Sequence, residues 1–256
     1  MNGLPGLFWP GRRGMARRRG REVPTRKEGL RLAARRTWRL IVNELAVDRG
    51  DRRILDRVSF QVHAGEAVVL RGPNGTGKTT LIRAIAGLLP AAAGEVELEG
   101  RPEDAPVGAY CHYIAHRNAL KSDLTVRDNL LFWQNFSGGK AASFDDVAMQ
   151  ADLEDLSDIP VKYLSAGQQR RVALARLLAS PKPVWLLDEP TVSLDVEHTQ
   201  LFAELANEHL SEGGLIVAAT HTALGFRGER ILHLGTMDGG PEGFGSGQAG
   251  IGEAGS

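Results

Sequence analysis

Cysteine is almost absent from the 256 residues: Cys111 is the only one, so no internal disulfide can brace the chain, and the pattern suits a reducing compartment. Aromatic residues are scarce at 6%, and net charge is nil because 31 basic side chains balance 31 acidic ones. No apolar run approaches the roughly 18 to 20 residues that span a bilayer. The best stretches, Ala67 to Leu70 and Leu215 to Ala219, are strand-sized. Any membrane crossing is therefore expected from another chain. The remaining composition, 42% hydrophobic and 24% charged, excludes collagen-like, disulfide-rich and wholly disordered classes. A chain of this length can bury a substantial core in one large domain, with or without tails.

Zero net charge conceals an uneven distribution. Through Arg39 there are twelve Lys/Arg against Glu22 and Glu28, a local charge of +10 that the remaining residues cancel. That segment has little apolar periodicity and is broken by Gly3, Gly6, Gly11, Gly14 and Gly20. Residues 1–38 are expected to be a disordered basic extension, either a phosphate- or lipid-binding tail or the product of an over-long translation start. The segment lacks the aromatic interleaving of a nucleic-acid reader and the apolar centre of a secretory signal. From Gly235 to Ser256, nine of twenty-two residues are glycine, which predicts a flexible tail over 235–256. The folded unit is expected over 39–234.

Within that unit, strand and helix signals alternate. Leu40 to Leu45, Ile54 to Val62, Glu66 to Leu70 and Glu95 to Leu98 read as strands. After the third comes Arg71-Gly72-Pro73-Asn74-Gly75-Thr76-Gly77-Lys78-Thr79-Thr80, then the helical Leu81 to Gly87. This satisfies G-x-x-x-x-G-K-S/T in a strand, loop, helix context. Gly72, Gly75 and Gly77 can take positive φ values that turn backbone N–H groups inward and admit phosphate oxygens. A helix beginning near Lys78 points unpaired N–H groups and its positive end at the same anion. Lys78 is expected to neutralise the β and γ phosphates, and the Thr79 hydroxyl to bind Mg²⁺. The stretch is a nucleotide site.

Further on, Pro183-Val184-Trp185-Leu186-Leu187-Asp188-Glu189-Pro190 is an apolar run ending in two carboxylates, the pattern of a strand buried on both faces of a parallel sheet. Asp188 is expected to hold the Mg²⁺ shell and Glu189 to orient and deprotonate the attacking water. The competing reading makes the pair a helix cap, together with Asp195 and Glu197. Leu164-Ser165-Ala166-Gly167-Gln168-Gln169-Arg170-Arg171 precedes a helix read over Val172 to Ala179, and Ser165 is a plausible N-cap.

Taken with the two nucleotide elements, that stretch resembles the signature motif of ABC-transporter ATPases. Ser193-Leu194-Asp195 resembles the family's D-loop, and Ala219-Thr220-His221 resembles its switch histidine. The resemblance covers roughly residues 40 to 234. It implies an α/β P-loop core with an antiparallel β subdomain and a helical signature subdomain, here about 117–180, and it implies ATP and Mg²⁺. It further implies a head-to-tail pair of identical chains closing on two ATP molecules. Ser165, Gly167 and Gln168 would then face the partner's nucleotide, His221 would contact the γ-phosphate and attacking water, and Asp195 would communicate across the interface. Two positions depart from the family pattern. The place of the ring that stacks on adenine holds Arg49, whose guanidinium can also stack on a base. The place of the glutamine that contacts Mg²⁺ and senses the membrane subunit holds His116.

The segment around that departure, Tyr110-Cys111-His112-Tyr113-Ile114-Ala115-His116-Arg117-Asn118-Ala119-Leu120-Lys121 followed by Leu124 to Trp133, is similar to one branch of the family: the ATP-binding subunits of bacterial cytochrome c maturation, the haem exporter ATPases. Their setting implies the cytoplasmic face of the inner membrane, the membrane subunits CcmB and CcmC, and hydrolysis linked to haem export or release of a haem-loaded periplasmic chaperone. The alternatives are an ATPase for another permease, of small solutes or lipids, and a non-transport ABC protein acting on nucleic acid. The second is disfavoured by a single cassette without a coiled-coil insertion. Cys111 is expected to be a small core residue rather than a ligand, since no C-x-x-C-H motif is present. Phe132, Trp133 and Phe136 follow a helix start at Thr125 and Asp128. Their spacing ordinarily means core, but the resemblance makes the insert between Leu124 and Ile159 the surface that docks membrane subunits.

Overall fold

A computed structural model describes residues 37–136 and 142–235 of the chain. The basic extension and the glycine-rich tail expected at the two ends lie outside the described residues, apart from Thr37, Trp38 and Gly235. Trp38 is 6% exposed and packs on Tyr110 at 5.7 Å between ring centroids.

The first sheet grows from a long hairpin. Strands β1 (Arg39–Arg49) and β2 (Arg52–His63) pair antiparallel, and β4 (Ala93–Glu99) pairs on the other side of β1, giving the order β2-β1-β4. β1 is irregular near its middle, where the register shifts between Val42 and Leu45 against β2 and between Asn43 and Ala46 against β4. The second sheet is parallel, in the order β5 (Cys111–Ile114), β6 (Val184–Asp188), β7 (Leu215–Ala219), β3 (Ala67–Arg71), β8 (Arg230–His233). Every residue of β6 and β7 is buried. Alternation along β6 sends Val184 and Leu186 to one face and Trp185 and Leu187 to the other. The first face packs on the antiparallel sheet and helix α1 (Lys78–Ile85); the second packs on helix α5 (Val196–Ser211) through Phe202, Ala206 and Leu210.

Helices α2 (Val126–Phe136), α3 (Phe144–Gln150) and α4 (Ala166–Ala179) gather around Val126, Leu130, Val147, Leu153, Val161 and Val172. Each start has a visible cause. Thr125 Oγ1 accepts from the Asp128 amide at 3.0 Å, and Ser143 caps α3 through the Asp146 amide at 3.1 Å. At α4, Ser165 Oγ accepts from the Gln168 amide at 3.2 Å while Gln168 Oε1 accepts from the Ser165 amide at 2.8 Å, a reciprocal capping box. The helix therefore begins at Ala166, six residues before the Val172 start read from sequence. Buried Asn129 holds the loop before α2, accepting from the Lys121 amide at 2.8 Å and donating to the carbonyl of Thr125 at 2.9 Å. The strands read at Leu40 to Leu45, Ile54 to Val62 and Glu95 to Leu98 are each longer at both ends than their apolar residues alone announced.

One polar link joins the helical cluster to α5. Asp195 caps α5 through the His198 amide at 2.9 Å, and the His198 ring lies 2.7 Å from Asp195 Oδ1 and 3.1 Å from Asp152 Oδ2. Arg171 also pairs with Asp152. Partial burial opposes a charge on His198, but hydrogen bonds with Asp152 and Asp195 outweigh it and raise its pKa. Hydrogen bonds from His198 lower the pKa of both carboxylates. The sign follows by linkage: a raised histidine stabilises fully below its unfolded value of about 6.5, and that contribution disappears as pH rises through the folded value. The lowered carboxylates lose theirs on acidification below about 4. The melting temperature of His198→Gln should therefore fall short of the wild type most clearly at pH 5 to 6 and approach it near pH 9, which a thermal melt series across pH would test.

Candidate nucleotide-hydrolysis site

The parallel pairing of β6 with β7 and of β7 with β3 lines up three carboxyl ends, and the polar residues leave from those ends. After β3 the chain turns through Gly72, Gly75 and Gly77 at φ 145°, 87° and 96°. A methyl group at Gly72 would lie 2.3 Å from the Leu234 carbonyl oxygen, and one at Gly77 would lie 2.6 Å from Leu55 Cδ2. Backbone conformation favours glycine at both positions, and at Gly72 the fixed Leu234 carbonyl leaves no room for a side chain either. Thr76 Oγ1 donates to the Pro73 carbonyl at 3.0 Å, and Lys78 Nζ donates to the carbonyls of Gly72 at 2.6 Å and Pro73 at 2.9 Å. Helix α1 starts at Lys78 with Gly77 as its N-cap residue, so the first-turn amides of Lys78, Thr79 and Thr80 open toward the loop.

At the end of β6, both oxygens of Asp188 lie 3.0 Å from Thr79 Oγ1. Burial raises the Asp188 pKa and the neighbouring Glu189 adds to the rise, while the Thr79 hydrogen bond, Arg83 and His116 oppose it. A buried carboxylate beside a second one and a hydroxyl is the donor set that a hard divalent cation relieves, so these residues fit Mg²⁺. Among the described residues no group of three or more His, Cys, Asp or Glu is placed to hold a metal. A cation here would therefore take further oxygens from the nucleotide and water. His116 is solvent-exposed and acts electrostatically on Asp188.

Glu189 turns out of the strand at φ 49°, its amide donating to the Ala219 carbonyl at 2.8 Å. Its carboxylate is 3.7 Å from His221 Nε2, which also lies 3.1 Å from Asn74 Oδ1 of the glycine loop. Three segments remote in sequence therefore meet: the glycine loop at Asn74, the carboxylate pair, and the residue after β7. Arg71 fixes the last of these by donating to the carbonyls of Thr220 at 3.0 Å and Thr222 at 2.8 Å.

Other residues picked out from sequence make their contacts elsewhere within one chain. Ser165 and Gln168 are occupied with each other in the capping box, and a methyl at Gly167 would sit 2.7 Å from the Ser193 carbonyl. Asp195 is the N-cap of α5, so the capping alternative holds for this carboxylate, while Asp188 and Glu189 belong to the strand end. Arg49 is exposed at the tip of the β1–β2 hairpin, opposite Arg52. Cys111 is buried in the core, its thiol donating to the Val107 carbonyl at 3.3 Å and pushed up to about 12 by desolvation. Burial likewise holds His112 down at about 3, so it stays neutral at physiological pH. Sequence reasoning missed Arg170, read only as part of a basic first turn. It is 2% exposed and bonds to the backbone around Glu189. The available signal was the almost wholly apolar run Val172 to Ala179, which marks a buried helix continuous with Arg170.

Glycine loop, paired carboxylates and strand-end histidine on this sheet define a P-loop nucleotidase of the ATP-binding cassette class, and the chain belongs to the ABC transporter family, whose family model matches residues 55–192. Its relatives carry a narrower description. It is 48% identical over 190 residues to the cytochrome c biogenesis ATP-binding export protein CcmA of Brucella abortus, covering 74% of this chain and 88% of that protein. With the protein of the same description from Rhizobium meliloti it shares 46% over 205 residues, covering 77% and 97%. Among solved structures, an ABC transporter ATP-binding protein from Pyrococcus furiosus superposes with a TM-score of 0.66 at 25% identity, covering 77% of this chain and 97% of that one. The ATP-binding subunit of another ABC transporter gives 0.67 at 27% identity, covering 76% and 85%. The chain is an ABC-type ATPase of the cytochrome c biogenesis group.

Lys78→Ala should weaken ATP binding by roughly a hundredfold or more, since it removes an ammonium held within the glycine loop on the carbonyls of Gly72 and Pro73. Titration with a labelled nucleotide checks this; wild-type affinity would remove Lys78 from the site.

Proposed function

We propose that this chain hydrolyses ATP in a closed head-to-tail dimer of two copies and thereby drives a membrane complex of cytochrome c maturation. The observation that carries the catalytic part is the meeting of Asn74, Glu189 and His221 beside Lys78 and the Thr79–Asp188 pair. In this reading the glycine-loop amides and Lys78 bind the β and γ phosphates. Thr79 and Asp188 hold Mg²⁺, which supplies charge neutralisation on those phosphates, and His116 borders that site. Glu189 accepts the proton of the attacking water, the water oxygen bonds to the γ-phosphorus, and the bond to ADP breaks to give ADP and phosphate. His221 holds the γ-phosphate and that water in line. Ser165, Gly167 and Gln168 close over the partner's nucleotide, Asp195 lies in the dimer interface, and Arg49 packs on the adenine.

The relatives' description as cytochrome c biogenesis ATP-binding export proteins supports an export role in that process; the proposal extends it to the cytoplasmic face of the bacterial inner membrane, integral partners of the CcmB and CcmC type, and haem handling downstream. The aromatic residues of α2 support a docking surface there. Phe132 and Phe136 are 38% and 72% exposed and stack on each other at 6.1 Å, beside a cleft of about 460 Å³ rimmed by Leu88, Trp133 and Arg176. Exposed rings of this size beside the exposed Leu131 are what a partner would cover.

Glu189→Gln should retain ATP binding and lower hydrolysis by about three orders of magnitude, trapping an ATP-bound dimer visible by size-exclusion chromatography. Normal hydrolysis would reject Glu189 as the base. The same variant, expressed in its native host and recovered from solubilised membranes with ATP, should bring down haem-handling membrane subunits, identified by mass spectrometry. Recovery of an unrelated permease would keep the ATPase and overturn its assignment to haem.

A further inference from the structure

Arg170 is a buried cation whose contacts do not involve a carboxylate oxygen. A guanidinium carries five N–H donors in a planar fork, and here the fork is filled. Nε donates to the Pro190 carbonyl at 2.7 Å; Nη1 donates to the Ala115 carbonyl at 2.8 Å and to Asn118 Oδ1 at 2.9 Å. Nη2 donates to the carbonyls of Asp188 at 3.2 Å and Glu189 at 2.7 Å. All these acceptors belong to two segments: the turn after β6 that carries Asp188 and Glu189, and the loop after β5 on either side of His116.

The chemistry of this arrangement differs from that of an ordinary buried ion pair. Residue 189 is a glutamate in left-handed backbone conformation, φ 49°, where L side chains are disfavoured and the surrounding structure must hold the residue. Its amide is held by the Ala219 carbonyl, and its own carbonyl by Arg170 Nη2. With both flanking peptides tied, the Cα–Cβ direction, and so the aim of the carboxylate, is set by groups outside the residue. Removing Arg170 leaves Glu189 in place chemically while releasing one of those two ties. Because the same guanidinium also holds Ala115 and Asn118, the loop carrying His116 and the turn carrying Glu189 move against one shared side chain.

We infer that Arg170 is a positioning residue for hydrolysis: it holds Glu189 in its working orientation and registers it against the loop at residues 115–118. The inference rests on Glu189 being the base. A lysine cannot replace it, having three donors on a point charge instead of a planar fork.

The test uses the complex purified from host membranes, with Arg170→Lys, Arg170→Gln, Glu189→Gln and, as a control on the same helix, Arg171→Gln. Both Arg170 variants should lose roughly thirtyfold or more in kcat while the KM for ATP stays within about threefold, because small misplacement of a reacting group is costly and nucleotide binding is made elsewhere. The lysine variant should not rescue. Arg171→Gln should keep kcat within about threefold. A folded Arg170 variant with near-normal kcat overturns the inference, as does a parallel loss of kcat and ATP affinity shared with Arg171→Gln, which marks a merely structural role. If neither Arg170 variant folds, Asn118→Ala decides. It removes a single acceptor, and a fall in kcat of about threefold to tenfold at unchanged KM supports the inference, whereas unchanged kcat overturns it. Glu189→Gln separates the two readings: full activity there rejects the base, and loss there beside normal Arg170 variants rejects only the positioning role.

Discussion

Strand β7 lies between β6 and β3, and the site exists because of that adjacency. Thr79 and Asp188 are separated by 109 positions in the chain, and what brings them to hydrogen-bonding distance is hydrogen-bonded sheet on both sides of β7. The ladder also fixes depth: Asp188 sits opposite Ala219, so Glu189 and Thr220 leave the sheet at the same level. Both faces of these strands are apolar, so polarity alone would not penalise a one-residue slip. Packing does, since a slip would take Trp185 off the face where it stacks flat on His209, at 4.0 Å between ring centroids.

What the sheet brings together is expensive to keep. Asp188, Lys78, Arg170 and Arg176 are all nearly excluded from water, and an ionised group loses several kcal/mol on burial unless hydrogen bonds replace its hydration. The protein meets this mainly with backbone carbonyls. Two hold Lys78, four join Asn118 in holding Arg170, and a hydroxyl holds Asp188. Carbonyls are fixed by the fold and carry no charge that could collapse onto the cation. Desolvation lowers Arg170 only to about 10, which leaves it protonated at neutral pH.

How much could be read in advance depended on the kind of signal. The glycine loop was legible because its residue types answer steric needs, as the 2.3 Å encroachment at Gly72 and the positive φ at Gly77 make plain. The strands were legible from runs such as Val184 to Leu187, since burial on both faces leaves only apolar residues. The first six residues of helix α4 were not legible as helix because Gly167, Gln168, Arg170 and Arg171 look like loop or surface. In fact its first turn is set by the capping box, and Arg170 and Arg176 face inward. At Phe132 and Phe136 the two signals pointed apart: helical spacing ordinarily means core, the family resemblance implied a docking surface, and both rings stand at the surface. Arg170 could not be assigned from its neighbours, because all its partners are tens of positions away except those near residue 190, some twenty away.

The guanidinium of Arg176 lies 3.5 Å over the ring of Trp133, its pKa lowered to about 10 by burial. Of the described tryptophans, Trp38 and Trp185 are sealed in the core, and Trp133 alone stands at the edge of the aromatic cleft. A cation against an indole alters its excited state, and covering the cleft would strip water from that ring. The chain thus carries an intrinsic optical probe at the surface where a partner would dock, able to register docking through emission colour and intensity without any attached dye.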